Sequence, residues 1–233
     1  MTELLILAQI QLADTAAQTL EESGEMTLSY WELAFKGGWV MIPILVLSVI
    51  AVFIFVERFF VVRQAQREDA LLMNRIKDYI HEGKVESALA LCQSQNSPVS
   101  RMLEKGLKMI GRPIRDVNAA LENVGKLEIY KLEKGLPALA TVAGGAPMIG
   151  FLGTVIGMII SFYDMSNAGN NINVSLLSNG IYTALVTTVA GLIVGIIAYF
   201  AYNILVAKVE KVVFMLEART SEFIDLLNEP VND

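Results

Sequence analysis

GLPALATVAGGAPMIGFLGTVIGMIISFY, residues 135–163, contains no Asp, Glu, Lys or Arg. At about 1.5 Å per residue, a helix of that length exceeds the roughly 30 Å hydrocarbon layer of a bilayer, so it crosses once, tilted, with turns to spare. The chain around it repeats the pattern, since residues 37–56 and 165–207 are equally free of charge. Within the longer run, SNAGNNIN (166–173) is polar and turn-rich and reads as a loop, so the third span starts near 177 and ends near 206. Uninterrupted apolar stretches of about 18 or more residues are membrane spans, and three of them exclude an ordinary soluble enzyme. Composition agrees: 54% of the 233 residues are hydrophobic and 18% charged, where soluble domains carry about 25%.

By itself the net charge of −6 argues against nucleic acid and anionic lipid as partners, but its distribution matters more. One basic residue, Lys36, precedes the first span against six acids, whereas residues 58–134 hold fourteen of the eighteen Lys and Arg. The positive-inside rule makes that segment cytoplasmic. The expected order is a periplasmic segment over 1–38 with an interfacial helix, a first span over 39–62, and a cytoplasmic helical domain over 63–135. A second span over 136–163, a periplasmic loop over 164–176, a third span over 177–206 and a cytoplasmic C-terminal helix over 207–233 complete it. LLILAQIQLA (4–13) has the apolar core of a secretory signal without its basic start, Glu3 being the only charge there, and is read as an external amphipathic segment. Cys92 is the sole cysteine, so no intrachain disulfide forms, and the sole histidine, His81, reads as a solvated helix-end residue rather than a ligand or proton relay.

Ser29 and Glu32 have capping-box spacing and open a short helix that ends at Gly37 and Gly38, with Tyr30, Trp31 and Trp39 at headgroup level. Pro43 falls in the first turn of span one, where a missing N–H costs little. Glu57 and Arg58 close that apolar run and read as a mutually offsetting anchor at the inner boundary. Helices are predicted over 64–79, over 84–93 with Leu89 and Leu91 in the core, and over 99–110. SQNSP (94–98) and GRP (111–113) are breaks. From Ile114 a helical pattern runs into span two without a stop, and span three projects beyond the membrane along the stripe Val209, Val212, Val213, Leu216 and Phe223. No phosphate loop, metal-ligand cluster or nucleophile with a paired base occurs, so the chain is predicted to be non-enzymatic, with no cofactor and no metal.

Ala146, Gly150, Gly153, Thr154, Gly157 and Ser161 recur at offsets of three and four and share one side of span two. Thr183, Ala184, Thr187, Thr188, Gly191 and Gly195 make a second stripe on span three, and Gly191–Gly195 repeats the spacing of Gly153–Gly157. Small residues let backbones approach closely where lipid gives no hydrophobic drive for association, so packing between helices or subunits is the plainest reading of both stripes. Their hydroxyls either bond their own i−4 carbonyls or line a path for a polar group of a partner. No span carries an acid, a base or a histidine in its interior. A proton carrier acting alone keeps such a group in the bundle despite its cost, so if protons are handled, another chain supplies the titrating group.

APMIGFLGTVIGM (146–158), the short loop after it, GIYTALVTTVAGLIVGI (180–196), KGGWVMIPILVLSVIAVFIFVERF (36–59) and GKVESALALC (83–92) together resemble the ExbB/TolQ branch of the MotA/TolQ/ExbB proton-channel family, over residues 29–227. The resemblance implies an all-α inner-membrane protein with its N-terminus in the periplasm. It also implies a homo-oligomeric ring of five subunits around the membrane helices of two ExbD-like or TolR-like partners. Spans two and three line the pore, a partner Asp carries the protons, and the complex energises TonB or TolA. The family's pore threonines map onto Thr154 and Thr188, with Thr187 and Thr183 beside them and Gly150, Gly153, Gly157, Gly191 and Gly195 as packing positions. One slot departs from the family: Thr183 stands where a Glu is common, so the resemblance leaves the partner's Asp as the titrating group. The long segment 1–38 favours the ExbB type over the TolQ type. A stand-alone channel or carrier and a flux-free scaffold are the readings from other classes.

Overall fold

The computed structural model describes residues 37–66, 71–167 and 174–228. Every regular element among them is an α-helix: α1 (Met41–Ala65), α2 (Leu72–His81), α3 (Val85–Ser94), α4 (Pro98–Leu107), α5 (Ile114–Glu133), α6 (Leu136–Asn167) and α7 (Val174–Asn228). Three segments, in α1, α6 and the first part of α7, are long and apolar enough to cross a membrane. The predicted capping box at Ser29 and Glu32, the segment before it and residues 168–173 lie outside the described residues.

Helix α1 tolerates Pro43 because the ring sits in the first turn, whose N–H groups have no intrahelical acceptor. It buries one stripe, Ile44, Ala51, Arg58, Val62 and Ala65, against α7 and α6. Leu45, Val49, Phe53 and Phe60 point outward, a pattern suited to lipid. The helix continues to Ala65, and the stretch predicted as one helix over 64–79 is divided between its last turn and α2.

Helices α2 to α5 and the far half of α7 form a domain whose core is continuous with the packing of the membrane helices. Ser97 caps α4, accepting from the Ser100 N–H at 3.0 Å while the Ser100 hydroxyl takes the Ser97 N–H, and Pro98 follows at the first helical position. α4 lies between α3, α5 and α7 and brings Val99, Met102 and Leu103 to full burial. A Cβ on Gly106 would stand 2.7 Å from the Phe223 ring and 2.8 Å from Leu121, so a larger residue there would have to displace both side chains. Helix α2 ends in a Schellman turn: Gly83 has φ +71, and the Lys84 N–H reaches the Tyr79 carbonyl at 2.8 Å. His81 is exposed in its last residue. In α3 the innermost residues are Ala88 and Cys92, with Leu89 and Leu91 only half-buried, which corrects the predicted core.

The predicted continuity from Ile114 into span two is also corrected. Helix α5 stops at Glu133, Lys134 turns to φ −53, ψ 124, and Gly135 takes φ +89 before α6 begins at Leu136. Gly135 is the residue that can adopt the left-handed turn, and Pro137, lacking an N–H, starts a helix more readily than it continues one. At the other end α6 runs through Asn167 and α7 starts at Val174, so the connection is shorter than the predicted 164–176. α7 then proceeds without a break for 55 residues.

Candidate functional site

α6 and α7 pack antiparallel along the two stripes of small residues. A Cβ on Gly150 would lie 2.8 Å from the Thr187 carbonyl oxygen, and one on Gly191 would lie 2.5 Å from the Ala146 oxygen and 2.9 Å from the Gly150 Cα. Gly157 meets Ala184 at 2.9 Å on the same criterion, Gly153 faces the Thr187 side chain, and Gly195 receives the ring of Pro147. Backbone therefore touches backbone along most of the seam, and the dispersion contacts that close approach supplies replace the missing hydrophobic drive.

The hydroxyls divide into two kinds. Thr187 is fully buried in the seam and donates to the Ala184 carbonyl at 2.7 Å, with Gly150 O a second acceptor at 3.3 Å. Thr188 donates to the same Gly150 O at 3.0 Å, crossing from one helix to the other. Such interhelical bonds are worth about 0.6 kcal/mol. Thr154, one turn along α6 from Gly150, is half-exposed and turns its hydroxyl proton onto its own helix at Phe151 O. Ser161 does the same with Gly157 O at 2.7 Å, and Thr183 is half-buried one turn from Thr187. A hydroxyl whose proton is used internally still offers lone pairs, so Thr154 and Thr188 present acceptors rather than donors.

A second polar assembly lies where the charge-free runs end. Arg58 and Glu57 form the expected pair, with Nη2 2.8 Å from Oε1, yet Arg58 is buried to 8% exposure. Its Nη1 donates to the Lys131 carbonyl at 3.1 Å, in the last turn of α5. The helix break leaves the final carbonyls of α5 without N–H partners, and a cation is what the negative end of a helix favours. Arg58 is thus a tie between α1 and the α5–α6 junction as well as a boundary anchor. On the neighbouring side, the Gln66 amide donates to Lys208 O at 3.0 Å, and Lys208 Nζ sits 4.8 Å above the Phe59 ring. Over its last two to three turns α1 is thus tied to α5 by Arg58 and to α7 by Gln66 and Phe59.

Sequence reasoning missed Glu128. It is 3% exposed and ion-paired with Arg101, from α4, and with Lys131 at 2.7 Å. Burial alone would push its carboxyl up, but the hydrogen bonds and charges of Arg101 and Lys131 outweigh that and hold it below the usual carboxylate value. The i,i+3 spacing to Lys131 is readable in the sequence, whereas the bond to Arg101 spans 27 positions and is not. Burial pushes the Cys92 thiol up to about 12, which keeps it protonated. Among the described residues no group of three or more His, Cys, Asp or Glu could hold a metal ion.

Residues 94–218, more than half the chain, match the model of the MotA/TolQ/ExbB proton channel family. The chain belongs to this family. Its matched part takes in α4, α5, α6 and most of α7, including the whole α6–α7 seam. An ExbB homologue, a biopolymer transport protein of Methanothermobacter thermautotrophicus, is 27% identical over 80% of this chain and 66% of its own. The ExbB-like 3 protein of Synechocystis is 30% identical over 72% of this chain and 80% of its own. The Tol-Pal system protein TolQ of Pseudomonas aeruginosa is 31% identical over 59% of this chain and 64% of its own. The MotA/TolQ/ExbB family is a transport-energising one, and both its ExbB and its TolQ members are among the relatives.

Proposed function

We propose that this protein is an ExbB-type stator subunit of the inner membrane. It stands with its N-terminus in the periplasm and its C-terminus in the cytoplasm, and it forms a ring, a pentamer by family resemblance. The observation that carries the reading is the pairing of a tight α6–α7 seam with three spans whose interiors carry no Asp, Glu, Lys, Arg or His: the ring offers hydroxyls and closeness but no carboxylate to carry protons. An ExbD-like single-span partner supplies the carrier as an Asp, and the proton-motive force drives a TonB-like protein that serves the outer membrane. Each proton descending 100 mV releases about 2.3 kcal/mol.

Thr154 and Thr188 give this reading its chemistry. Each donates its proton to a backbone carbonyl, at Phe151 and Gly150, and so faces a partner as an acceptor. An acceptor stabilises the protonated carboxyl and disfavours the anion, which raises the partner Asp's proton affinity. Thr187, buried in the seam, supports the position of Thr188. Thr183, in the slot of the family's common Glu, adds no charge of its own, so the partner's Asp is the single titrating group.

The test is Thr154→Val and Thr188→Val, which keep shape and remove the lone pairs. The expected result is loss of receptor-dependent uptake of iron complexes while native mass spectrometry finds the ring intact, with Thr154→Ser restoring activity. Normal uptake in both Val variants refutes the pore assignment. The similarity to TolQ makes the Tol-type role the second reading; deletion would then cost outer-membrane integrity and leave uptake alone.

A further inference from the structure

One cavity lies beside the Arg58 tie, between the end of α1 and the α2–α5 domain. It has a volume of about 210 Å³ and is bounded by Val61 and Gln64 of α1, Asn96 of the α3–α4 turn, Arg101, Glu128 and Lys131. We propose that this cavity binds the phosphate of an anionic phospholipid headgroup in the leaflet facing that domain. The inference rests on the membrane placement of α1, α6 and α7 and is independent of proton conduction.

Three observations support it. The first is charge: two cations face one carboxylate, and the surplus is positive. The second is donor geometry. Arg101 gives Nη1 to Asn96 and Nη2 to Glu128, while its Nε is buried and, among the described residues, has no hydrogen-bond partner. Nε has almost no surface open to a water-sized group, so the N–H groups that an anionic oxygen in the cavity meets are those of the Nη atoms and of Lys131. Lys131 Nζ spends one N–H on Glu128 and keeps two, on a side chain that is 65% exposed. The third is depth. The cavity shares Lys131 with the Arg58 tie and takes Val61 and Gln64 from the turns of α1 that follow its charge-free run. Val61, 40% exposed, and the adjacent Phe60, 63% exposed, continue from the cavity onto the outer face of α1 as an apolar track for the acyl chains.

The full-length chain is reconstituted in nanodiscs of phosphatidylcholine doped with phosphatidylglycerol, and lipid retained after transfer to detergent is counted by native mass spectrometry. Phosphatidylglycerol is expected to be retained at least about tenfold over phosphatidylcholine, the scale of one charge-assisted hydrogen bond. Lys131→Gln and Arg101→Lys, the latter keeping the charge toward Glu128 but removing the planar guanidinium fork, should abolish that preference. Gln64→Trp fills the cavity without changing a charge or an ion pair and should abolish it too, which serves if the other variants unfold. Arg63→Gln, an exposed charge on α1 outside the cavity, should leave it intact. Equal retention of the two lipids, or a preference that survives Lys131→Gln and Gln64→Trp, overturns the proposal. So does a loss in Arg63→Gln as large as in Lys131→Gln. Stabilisation by inorganic phosphate alone as large as by phosphatidylglycerol assigns a free anion and overturns the lipid.

Discussion

Replacing Gly191 with Ala places a methyl group 2.5 Å from the Ala146 carbonyl oxygen and 2.9 Å from the Gly150 Cα. Both neighbours are backbone, so no rotamer change relieves the contact. The helices must separate by about 0.9 Å to restore an ordinary 3.4 Å approach. That movement stretches the Thr188–Gly150 bond, now 3.0 Å, out of hydrogen-bond range. Overpacking of this kind costs about 1–3 kcal/mol, and the lost interhelical bond adds about 0.6. Helix propensity returns at most about 1 kcal/mol. The control lies in the same helix pair: Gly144 and Gly145 have nothing within 4 Å of a built Cβ, so Gly144→Ala should be neutral or slightly stabilising. Thermal unfolding of the purified protein in one detergent, followed by circular dichroism, compares the two variants, and spin labels on α6 and α7 report the separation. Gly191→Ala should melt several degrees below Gly144→Ala. Equal melting, or an unchanged label distance, refutes backbone contact along the seam.

Glu128 stabilises the fold as an anion. Its folded pKa lies below the unfolded value of about 4.3, so its contribution is present above that value and lost as the pH falls through the folded one. Glu128→Gln should therefore lower the unfolding temperature near neutrality, and its gap to the wild type should close as the pH falls below the ordinary carboxylate range. Arg58→Met removes the donor to Lys131 O and should cost about 1–3 kcal/mol, with faster amide exchange concentrated at the last turn of α5; denaturant unfolding and hydrogen exchange measure both. Cys92, with its thiol held near 12, should resist maleimide at mildly alkaline pH in the folded protein and react fully in denaturant, as read by mass spectrometry.

The three spans were legible because lipid imposes a rule that needs no tertiary context: a helix that crosses must be apolar along its length. The small-residue stripes were legible for the same reason, since periodicity alone assigns them to one face. The break between α5 and α6 had its signal in Gly135 and Pro137, but the charge-free run around them masked a turn that lies at its edge. Leu89 and Leu91 are two positions apart and cannot share a helix face, whereas Ala88 and Cys92 are four apart and do. Helical periodicity alone is enough to make that distinction. The reach of Arg58 to Lys131 across 73 positions, and of Thr188 to Gly150 across 38, has no such local signal, because these bonds depend on how helices settle against one another. The same holds for Thr187. Its residue type and spacing matched the other threonines, and only the packed seam separates its fully buried hydroxyl from the partly exposed Thr154 and Thr188.

Helix α7 and the α5–α6 pair return from the membrane to the same domain by different mechanical means. α7 is one rod of 55 residues, about 80 Å long, and its far part carries Leu216 and Phe223 into the core of that domain. A tilt of about 5° at the bilayer centre swings its end, some 36 residues on, by roughly 5 Å. The parallel route passes through a turn at Lys134 and Gly135, which Arg58 ties to α1. Of these two routes, only α7 transmits a tilt in the membrane to the domain without an intervening turn.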